Sequence, residues 1–387
     1  MNESINPERL FPTLDSLESI LWPGLALVVF VVTAVFVDVM ILLATRLRLV
    51  DVPSGRSAHS LPTARGGGMP MVLTACLASA AVCIRWPDYV FPVAMGVILP
   101  SFAIAVVGFW DDIRPLRATL RLAIQIGVAV GLVFVLGPVR GLHLPALPIV
   151  DFGWLAWPLS VVWVVGCINA FNFMDGSDGM AALGAVAVAA GFVGIAFSEG
   201  DFPMVLLASF VGAAAAGFLV FNWFPARVFM GDVGSAFLGT FFAALTLFNI
   251  NGPTERVFLP LAMAAWPYIY DPLLSVVRRV CTGHNPLVPH REFLFHRLVR
   301  SGVSHAAVAV LYAVLALAGG VAGWMMVERS IPAAIQIWLP LTVVFLAAVL
   351  TAWADWRFCH FASVAMSAKL SPTKTTTTTT TVSGSAA

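Results

Sequence analysis

Residues 155–179 read LAWPLSVVWVVGCINAFNFMDGSDG, an apolar run that ends in two asparagines and a turn rich in aspartate and glycine. The apolar part is about 20 residues long, which is the length of helix that a bilayer core requires. Asn169 and Asn172 are three residues apart and therefore share one face of that helix. Because an unpaired amide is costly in an apolar turn, we expect both amides to point into a polar cavity at the end of a membrane span.

Further apolar runs of similar length lie on either side of this stretch, and they predict an all-α, polytopic membrane protein with about 11 transmembrane helices. Hydrophobic residues make up 60% of the 387 residues and charged residues only 11%, with a mean hydropathy of +0.93. Soluble domains carry about 25% charged residues, so the composition excludes a soluble protein and gives no sign of a nucleic-acid partner. The predicted spans are 22–45, 69–85, 92–110, 120–137, 155–174, 178–197, 204–222, 233–250, 257–277, 306–327 and 335–354.

The distribution of basic residues predicts the orientation of the chain, because cytosolic loops of membrane proteins carry an excess of Lys and Arg. With the N-terminus outside and the C-terminus inside, 16 of the 21 basic residues fall on the inner side. This topology divides the chain into a periplasmic segment 1–21, a transmembrane domain 22–354 and a cytoplasmic tail 355–387. The tail contains seven consecutive threonines from Thr375, and it is expected to be disordered from about residue 368.

The inside loops hold carboxylates at a density that the rest of the chain lacks. Asp111 and Asp112 are adjacent just past the third span, and Asp232 stands between glycines at the start of the eighth. Asp175 and Asp178 belong to the turn after the fifth span. Carboxylates that converge on one membrane face repel one another, and magnesium, which takes one or two carboxylates plus phosphate oxygens, would relieve that repulsion. The pattern favours phosphoryl transfer at the cytosolic membrane surface.

Each acidic motif also has a simpler structural interpretation. Asp178 and Asp232 could each cap the helix that follows, with Ser235 as a competing cap for the eighth span. Asp111 and Asp112 could form a solvated cap next to nearby arginines. These alternatives stay open at the level of the sequence.

Two further inside loops supply basic residues. The first loop places His59 and Arg65 ahead of the glycine run 66–68, whose backbone N–H groups could approach an anion; a flexible turn is the competing interpretation. The last loop contains Arg291 and His296, and a basic segment on anionic lipid is the alternative there. Two other histidines on the predicted inner side, His284 and His305, are interpreted as incidental.

Taken together, these motifs resemble the polyprenyl-phosphate N-acetylhexosamine-1-phosphate transferases, a family that includes the phospho-N-acetylmuramoyl-pentapeptide transferase of peptidoglycan synthesis. The resemblance covers residues 25–355, and its motifs are specific only in combination. They are the first inside loop from Asp51 to Gly68, Gly108-x-x-Asp111-Asp112, Asn169-Ala-x-Asn172-x-x-Asp175-Gly176-x-Asp178-Gly179 and Phe229-Met-Gly231-Asp232-x-Gly234-Ser235. Asp271, followed by Arg278 and Arg279, is similar to the family's ninth span.

The resemblance implies a reaction on the cytosolic leaflet of the bacterial inner membrane. Undecaprenyl phosphate and a UDP-linked N-acetylhexosamine, or its 6-deoxy derivative, would give the lipid diphosphate sugar and UMP. The resemblance also implies magnesium as the cofactor, with manganese as a substitute, and membrane lipids as partners; it leaves a homodimer open. The first inside loop is similar to the branch that initiates surface glycans such as O-antigen, so the product is expected to start such a polymer.

Within that reaction, catalysis is expected to rest on Asp111, Asp112 and Asp232. Asp232 would bind magnesium together with Asp112, and one of the two adjacent aspartates would deprotonate or orient the lipid phosphate. Direct attack by the lipid phosphate is favoured, and a covalent aspartyl-phosphate on Asp112 is the alternative. The residues expected to bind the nucleotide sugar are Asn169, Asn172, Asp175, Asp178, His59, Arg65, Arg291 and His296.

A departure in the last inside loop keeps other interpretations open. The family carries an acid there, followed by a His-x-His-His cluster, whereas this chain has His290, then Phe293, Phe295 and His296. A catalytically inactive scaffold would fit that loss. A lipid-linked precursor transporter or flippase is the rival from another class, for which an intramembrane acid such as Asp38 would be needed. A phospho-N-acetylmuramoyl-pentapeptide transferase is the rival within the family.

Overall fold

The computed structural model describes residues 16–47, 50–51, 63–64, 66–85, 87–248, 254–285 and 292–370. A π-helical turn over Pro92–Ile98 leads directly into the third helix. The helices of the described residues are α1 (Ser16–Leu47), α2 (Gly68–Arg85), α3 (Leu99–Ile113), α4 (Ala118–Leu136), α5 (Ala156–Met174), α6 (Met180–Ser198), α7 (Phe202–Asn222), α8 (Gly231–Leu247), α9 (Thr254–Cys281), α10 (Leu294–Arg300), α11 (His305–Val327), α12 (Ala333–Gln336) and α13 (Leu339–Leu370).

These helices confirm the predicted all-α, polytopic membrane architecture. Among the described residues, 10 helical segments are long and apolar enough to cross a bilayer. The eighth predicted span corresponds to α8, which has 17 residues, the lower end of the length that a span needs. Helix α13 continues to Leu370, past the predicted end of the last span at residue 354. The orientation of the termini and the domain limits stay predictions.

Two short hairpins of two-residue strands accompany the helices in the described part of the chain. β1 (Val50–Asp51) pairs antiparallel with β2 (Thr63–Ala64), and β3 (Gly141–Leu142) pairs antiparallel with β4 (Val150–Asp151). Ala64 also forms a parallel bridge to Val228. The first hairpin therefore connects the loop after α1 to the segment that leads into α8.

Helix α8 lies at the centre of the bundle. Every residue from Val233 to Leu247 is buried, whereas α1, α4 and α13 expose many large apolar side chains. Phe134 on α4, for example, is 77% exposed, as expected for a side chain that faces lipid. Phe242 of α8 contacts Phe171 of α5 and Phe192 of α6, with ring centroids 5.4 Å apart in both pairs. The protein thus surrounds α8 and fixes its position relative to α5 and α6.

Candidate active site

Asp232 lies in the first turn of α8, where several polar side chains meet. Its Oδ1 accepts a hydrogen bond from Nδ2 of Asn172 (2.9 Å), and its Oδ2 lies 3.2 Å from Nη1 of Arg121. The side chain is 31% exposed, so a ligand can reach it. The position before α8 is Met230, which has helical backbone angles and no side-chain cap, and the Ser235 hydroxyl bonds within the helix. The interpretation of Asp232 or Ser235 as the N-cap of α8 is therefore wrong.

Asp112 serves the start of α8 instead. Its two carboxylate oxygens accept hydrogen bonds from the backbone N–H groups of Asp232 (3.1 Å) and Val233 (3.3 Å). N–H groups at a helix start have no intrahelical partner, and the positive end of the helix dipole stabilises a carboxylate there. Asp112 thus couples the end of α3 to the beginning of α8.

Two glycines permit this close approach of α3 and α8. A Cβ atom on Gly108 would lie 2.6 Å from the carbonyl carbon of Asp232 and 2.8 Å from the nitrogen of Val233. Gly231 has a positive φ of 72°, and a Cβ atom there would overlap the carboxylate of Asp112. The glycines of the Gly-x-x-Asp-Asp and Gly-Asp motifs are therefore packing requirements of this site.

Asp111 stabilises the turn between α3 and α4. Its Oδ1 accepts a hydrogen bond from the N–H of Leu116 (2.5 Å), and its Oδ2 lies 2.8 Å from Nη1 of Arg121. The same nitrogen contacts Asp232, so one guanidinium bridges carboxylates from α3 and α8. The Asp111 side chain is only 9% exposed, so the interpretation of Asp111 as part of a solvated cap is wrong.

Asn172 belongs to this cluster, and Asn169 lies one turn before it on α5. Besides its bond to Asp232, Nδ2 of Asn172 lies 3.1 Å from Oγ of Ser235. The amide of Asn169 donates instead to Oε1 of Gln125 on α4, at 2.8 Å. Both amides have partners inside the bundle, and of the two it is Asn172 that contacts a carboxylate.

Asp175 follows directly after α5 and lies near several other carboxyl groups. Its burial raises the pKa of this carboxyl well above the ordinary value, and the negative charges of Asp232, Asp112 and Asp178 raise it further. The carboxylates of α3, α8 and this turn therefore act on one another electrostatically, as their predicted convergence requires.

Asp178 joins the same turn to the loop before α8. Its Oδ2 accepts a hydrogen bond from the backbone N–H of Ala226 (3.0 Å). Helix α6 begins after Gly179, which has a φ of 72° and provides no side-chain cap, so the interpretation of Asp178 as an N-cap is wrong. Asn222 at the end of α7 adds a second link: its Oδ1 accepts from the N–H of Gly179 (3.0 Å), and its Nδ2 donates to the carbonyl of Val228 (2.9 Å).

The carboxylates of this cluster fit a divalent cation that binds together with phosphate. Among the described residues, no three His, Cys, Asp or Glu side chains form a ready-made metal site. Magnesium needs fewer, because one or two carboxylates and the phosphate oxygens of a substrate are its usual ligands. Burial is the main cause of the raised pKa of Asp175, and the negative charges of Asp232, Asp112 and Asp178 add to it; a cation near these carboxylates would compensate that charge.

The glycine run 66–68 packs against the loop that leads into α8. The backbone N–H of Gly67 donates to the carbonyl of Phe229 (3.1 Å), and the N–H of Gly68 donates to the carbonyl of Met230 (3.0 Å). Since both N–H groups are used by the backbone, the interpretation of these two glycines as an anion-binding element is wrong. Three residues that are predicted to bind the ligand lie outside the described residues: His59, Arg65 and Arg291.

His296 lies on α10, next to the turn that carries Asp175. A Cβ atom on Gly176 would lie 3.0 Å from the ring of Phe295 and 3.6 Å from the ring of His296. These two rings stack on each other with centroids 4.0 Å apart. Phe293 and Phe295 are buried, so the phenyl groups at the positions where the resembled family has histidines pack α10 into the protein.

Comparisons with known proteins identify the family. The sequence profile of glycosyl transferase family 4 matches residues 94–249. A probable undecaprenyl-phosphate N-acetylglucosaminyl 1-phosphate transferase of Bacillus subtilis is 30% identical over 309 residues, which are 79% of this chain and 83% of the relative. The chain belongs to glycosyl transferase family 4.

Other relatives of this glycosyl transferase family 4 protein carry two kinds of name. A decaprenyl-phosphate N-acetylglucosaminephosphotransferase of Mycolicibacterium smegmatis is 31% identical over 306 residues, 70% of this chain and 73% of the relative. A phospho-N-acetylmuramoyl-pentapeptide-transferase of Halalkalibacterium halodurans is 33% identical over 236 residues, 56% of this chain and 72% of the relative. The resemblance predicted from the motifs and the enzyme class, a phosphotransferase for sugar phosphates, are thereby confirmed.

In this glycosyl transferase family 4 protein, two residues with contacts in or next to the site could not be recognised from the sequence: Arg121 and His305. Arg121 near the start of α4 bridges two carboxylates, but one arginine among several in this part of the sequence carries no signal of that role. His305, which is interpreted above as incidental, has contacts next to the site: its Nδ1 lies 2.6 Å from Oγ of Ser177, and its ring is stacked on that of Phe224. His305 therefore connects the turn after α5 to the loop after α7.

Replacing Arg121 with glutamine is expected to lower kcat/KM by about 10- to 100-fold, because hydrogen bonds to charged groups contribute about 1.5–3 kcal/mol. The loss follows from the unscreened repulsion between Asp111 and Asp232. Arg121→Lys keeps the charge but has no planar fork, so an intermediate activity is expected. Steady-state kinetics of the purified protein measure the effect.

Arg114→Gln is the matched control for this prediction, since Arg114 is exposed directly after the end of α3 and lies outside the carboxylate cluster. Its kinetics should equal those of the unmodified protein. Equal activity of the Arg121→Gln and Arg114→Gln proteins would show that the bridge has no part in the reaction.

Proposed function

We propose that this protein transfers N-acetylhexosamine 1-phosphate from a UDP-sugar to undecaprenyl phosphate, with release of UMP. The observation that carries the proposal is the cluster of Asp111, Asp112, Asp175 and Asp232 at one end of a membrane bundle, in which Arg121 bridges Asp111 and Asp232. Such a cluster suits a reaction whose charge lies on phosphates and whose catalysis is mainly positioning and neutralisation. The names of the relatives indicate the kind of substrates.

In this proposal Asp232 and Asp112 would hold magnesium, which would neutralise the charge of the donor's diphosphate. Asp232 is the more exposed of the bridged carboxylates and is held by the amide of Asn172. Arg121 keeps Asp111 and Asp232 together and limits their repulsion. The donor lies against the turn of Asp175 and the residues Asn169, Asn172, Asp178 and His296, with His59, Arg65 and Arg291 as further contacts.

The bond changes are those of a single displacement at phosphorus. An oxygen of the lipid phosphate attacks the β-phosphorus of the UDP-sugar, the bond from that phosphorus to the bridging oxygen breaks, and the electron pair leaves with UMP. Asp111 orients the lipid phosphate or accepts its proton. Direct attack by the lipid phosphate is favoured, and a covalent aspartyl-phosphate on Asp112 is the alternative.

The donor we favour is a UDP-N-acetylglucosamine-type sugar, because the relatives with that name align over more of the chain than the muramoyl-pentapeptide transferase does. A 6-deoxy N-acetylhexosamine stays the second donor, given Phe293 and Phe295 in the last loop. The proposed location is the bacterial inner membrane with the site facing the cytosol, where the basic loops would lie. The proposed product starts a surface glycan such as O-antigen.

A donor panel tests this function. Purified protein in detergent receives undecaprenyl phosphate, magnesium and one UDP-sugar at a time: N-acetylglucosamine, N-acetylgalactosamine, a 6-deoxy N-acetylhexosamine or N-acetylmuramoyl-pentapeptide. We expect UMP release with one N-acetylhexosamine donor, and none after chelation of the metal. Turnover of the pentapeptide donor alone would move the protein to the peptidoglycan branch, and a folded protein without turnover of any donor would contradict the proposal.

A further inference from the structure

Asp271 is a fully buried carboxylate within α9 that the reaction described above does not use. Its exposed fraction is 0%. Its Oδ1 accepts a hydrogen bond from the backbone N–H of Leu294 (2.6 Å), and its Oδ2 accepts from the N–H of Phe295 (3.1 Å) and from the hydroxyl of Tyr312 (2.7 Å). Two of these three donors belong to the first turn of α10. A buried charge in a membrane span is energetically costly. Here the hydrogen bonds of the Asp271 carboxylate attach the short helix α10 to α9.

The helix held in this way carries His296. The neighbouring ring of Phe295 is buried and stacked on His296, and both rings lie against Gly176 of the turn after α5. On its other side, α10 is joined to α13 by Arg297, whose Nη1 lies 2.7 Å from Oδ1 of Asp355. The placement of His296 relative to Asp175 therefore depends on how α10 is anchored.

We propose that Asp271 is a positioning residue for the transfer reaction: it fixes α10 so that His296 stands at the donor side of the carboxylate cluster. This inference rests on the proposed function. It has particular weight in this chain, because Phe293 and Phe295 occupy the positions at which the resembled family has further histidines. His296 is the only histidine of α10, so a shift of α10 moves the one imidazole that this helix carries.

The three hydrogen-bond donors around residue 271 favour a carboxylate over an amide at this position. Three donors converge on it, two backbone N–H groups and the Tyr312 hydroxyl. Asparagine has one acceptor oxygen and an NH₂ group, so the Asp271→Asn protein would turn an N–H towards at least one donor of α10 or Tyr312. An unpaired buried donor is unfavourable, and α10 should move to relieve it.

A double-mutant cycle separates positioning from general loss of structure. We expect Asp271→Asn to lower kcat/KM for the UDP-sugar by about 10- to 100-fold, the range that a misplacement of about 1 Å produces. In a His296→Ala background the same change should cost less than about twofold, because it acts through His296. Equal losses in the two backgrounds would overturn the proposal while leaving the transferase function in place.

Asp201→Asn is the matched control. Asp201 is also buried and holds a helix start, since its Oδ1 accepts from the N–H of Met204 (3.0 Å), but it lies at the far end of α7 from Asn222, about 30 Å along the helix. This variant should lower the melting temperature without changing kcat/KM. A kinetic defect as large as that of Asp271→Asn would show that any buried helix anchor has this effect, and would overturn the proposal.

A second readout needs no turnover. Diethyl pyrocarbonate acylates imidazole nitrogens, and mass spectrometry reports the rate at each histidine of the intact membrane protein. His296 is half-buried and stacked, so we expect it to react slowly, and to react several-fold faster in Asp271→Asn but not in Asp201→Asn. An unchanged rate at His296 would refute the positioning role, and this result would stand even if no donor were turned over.

Discussion

Replacing Asp232 with asparagine is expected to lower kcat by about 10²- to 10³-fold, the cost of removing one preorganised electrostatic group from an active site. Asparagine keeps the shape of the side chain, so the fold should be retained. The loss follows from the position of this carboxylate, which is partly exposed and is held by Asn172 and Arg121. Removing its charge removes the proposed metal ligand and leaves Arg121 with one carboxylate partner. UMP release under saturating substrates measures the effect.

Asp151→Asn serves as the control for this substitution. Asp151 is exposed in the loop between α4 and α5, and its carboxylate accepts a hydrogen bond from Gly153. The activity of the Asp151→Asn protein should match that of the unmodified protein. Circular dichroism should show the same helix content in the unmodified, Asp151→Asn and Asp232→Asn proteins. Retention of more than about a tenth of the activity in Asp232→Asn, a change of less than 1.4 kcal/mol in the barrier, would exclude Asp232 from the central role given to it here.

Replacing Gly108 with alanine is expected to destabilise the protein by about 1–3 kcal/mol, the usual cost of overpacking, and to lower activity by about 10²-fold. The added Cβ would meet the backbone of Asp232 and Val233, and backbone cannot move aside as a flexible side chain can. Helix α8 must shift away from α3, which separates Asp112 from the N–H groups it binds. Thermal unfolding in detergent and UMP release measure the two losses.

The same substitution on α4 supplies the comparison. Gly127 is also a helical glycine, and a Cβ atom there would meet nothing within 4 Å. Gly127→Ala should therefore leave activity unchanged, with a melting temperature equal to or slightly above that of the unmodified protein, because alanine favours a helix. Melting temperatures that fall equally in both variants would mean that the contact of α3 with α8 is not the cause.

Most of the fold could be predicted from the sequence, because bilayer thickness sets the length of an apolar run that must become a helix. The eighth run, predicted over 233–250, corresponds to α8 at Gly231–Leu247. Its burial by protein on all sides could not be predicted, since a run of apolar residues looks the same whether lipid or other helices surround it. The end of α13 at Leu370 is still more difficult to predict, because the sequence becomes less apolar before that residue.

The carboxylates of the candidate site could also be predicted, since acids at the ends of apolar spans are rare and their loops share one predicted membrane face. The contacts of each carboxylate could not be predicted. Asp112 and Asp178 accept hydrogen bonds from backbone groups far away in the sequence, and a local capping pattern cannot reveal such partners. The same applies to Gly67 and Gly68, whose N–H groups meet the carbonyls of the loop before α8, and to Arg121, whose role depends on its direction from α4.

The most direct test of the account follows the β-phosphorus of the donor. UDP-N-acetylglucosamine labelled with ³²P at the β-position is incubated with the protein, undecaprenyl phosphate and magnesium, and the label is counted in the lipid and aqueous phases. Transfer of a sugar phosphate predicts that the label enters the lipid in equal amount to the UMP released, and that Asp232→Asn lowers both by about 10²- to 10³-fold. Sugar in the lipid with labelled UDP left in water would contradict the account, because the enzyme would then transfer the sugar without its phosphate.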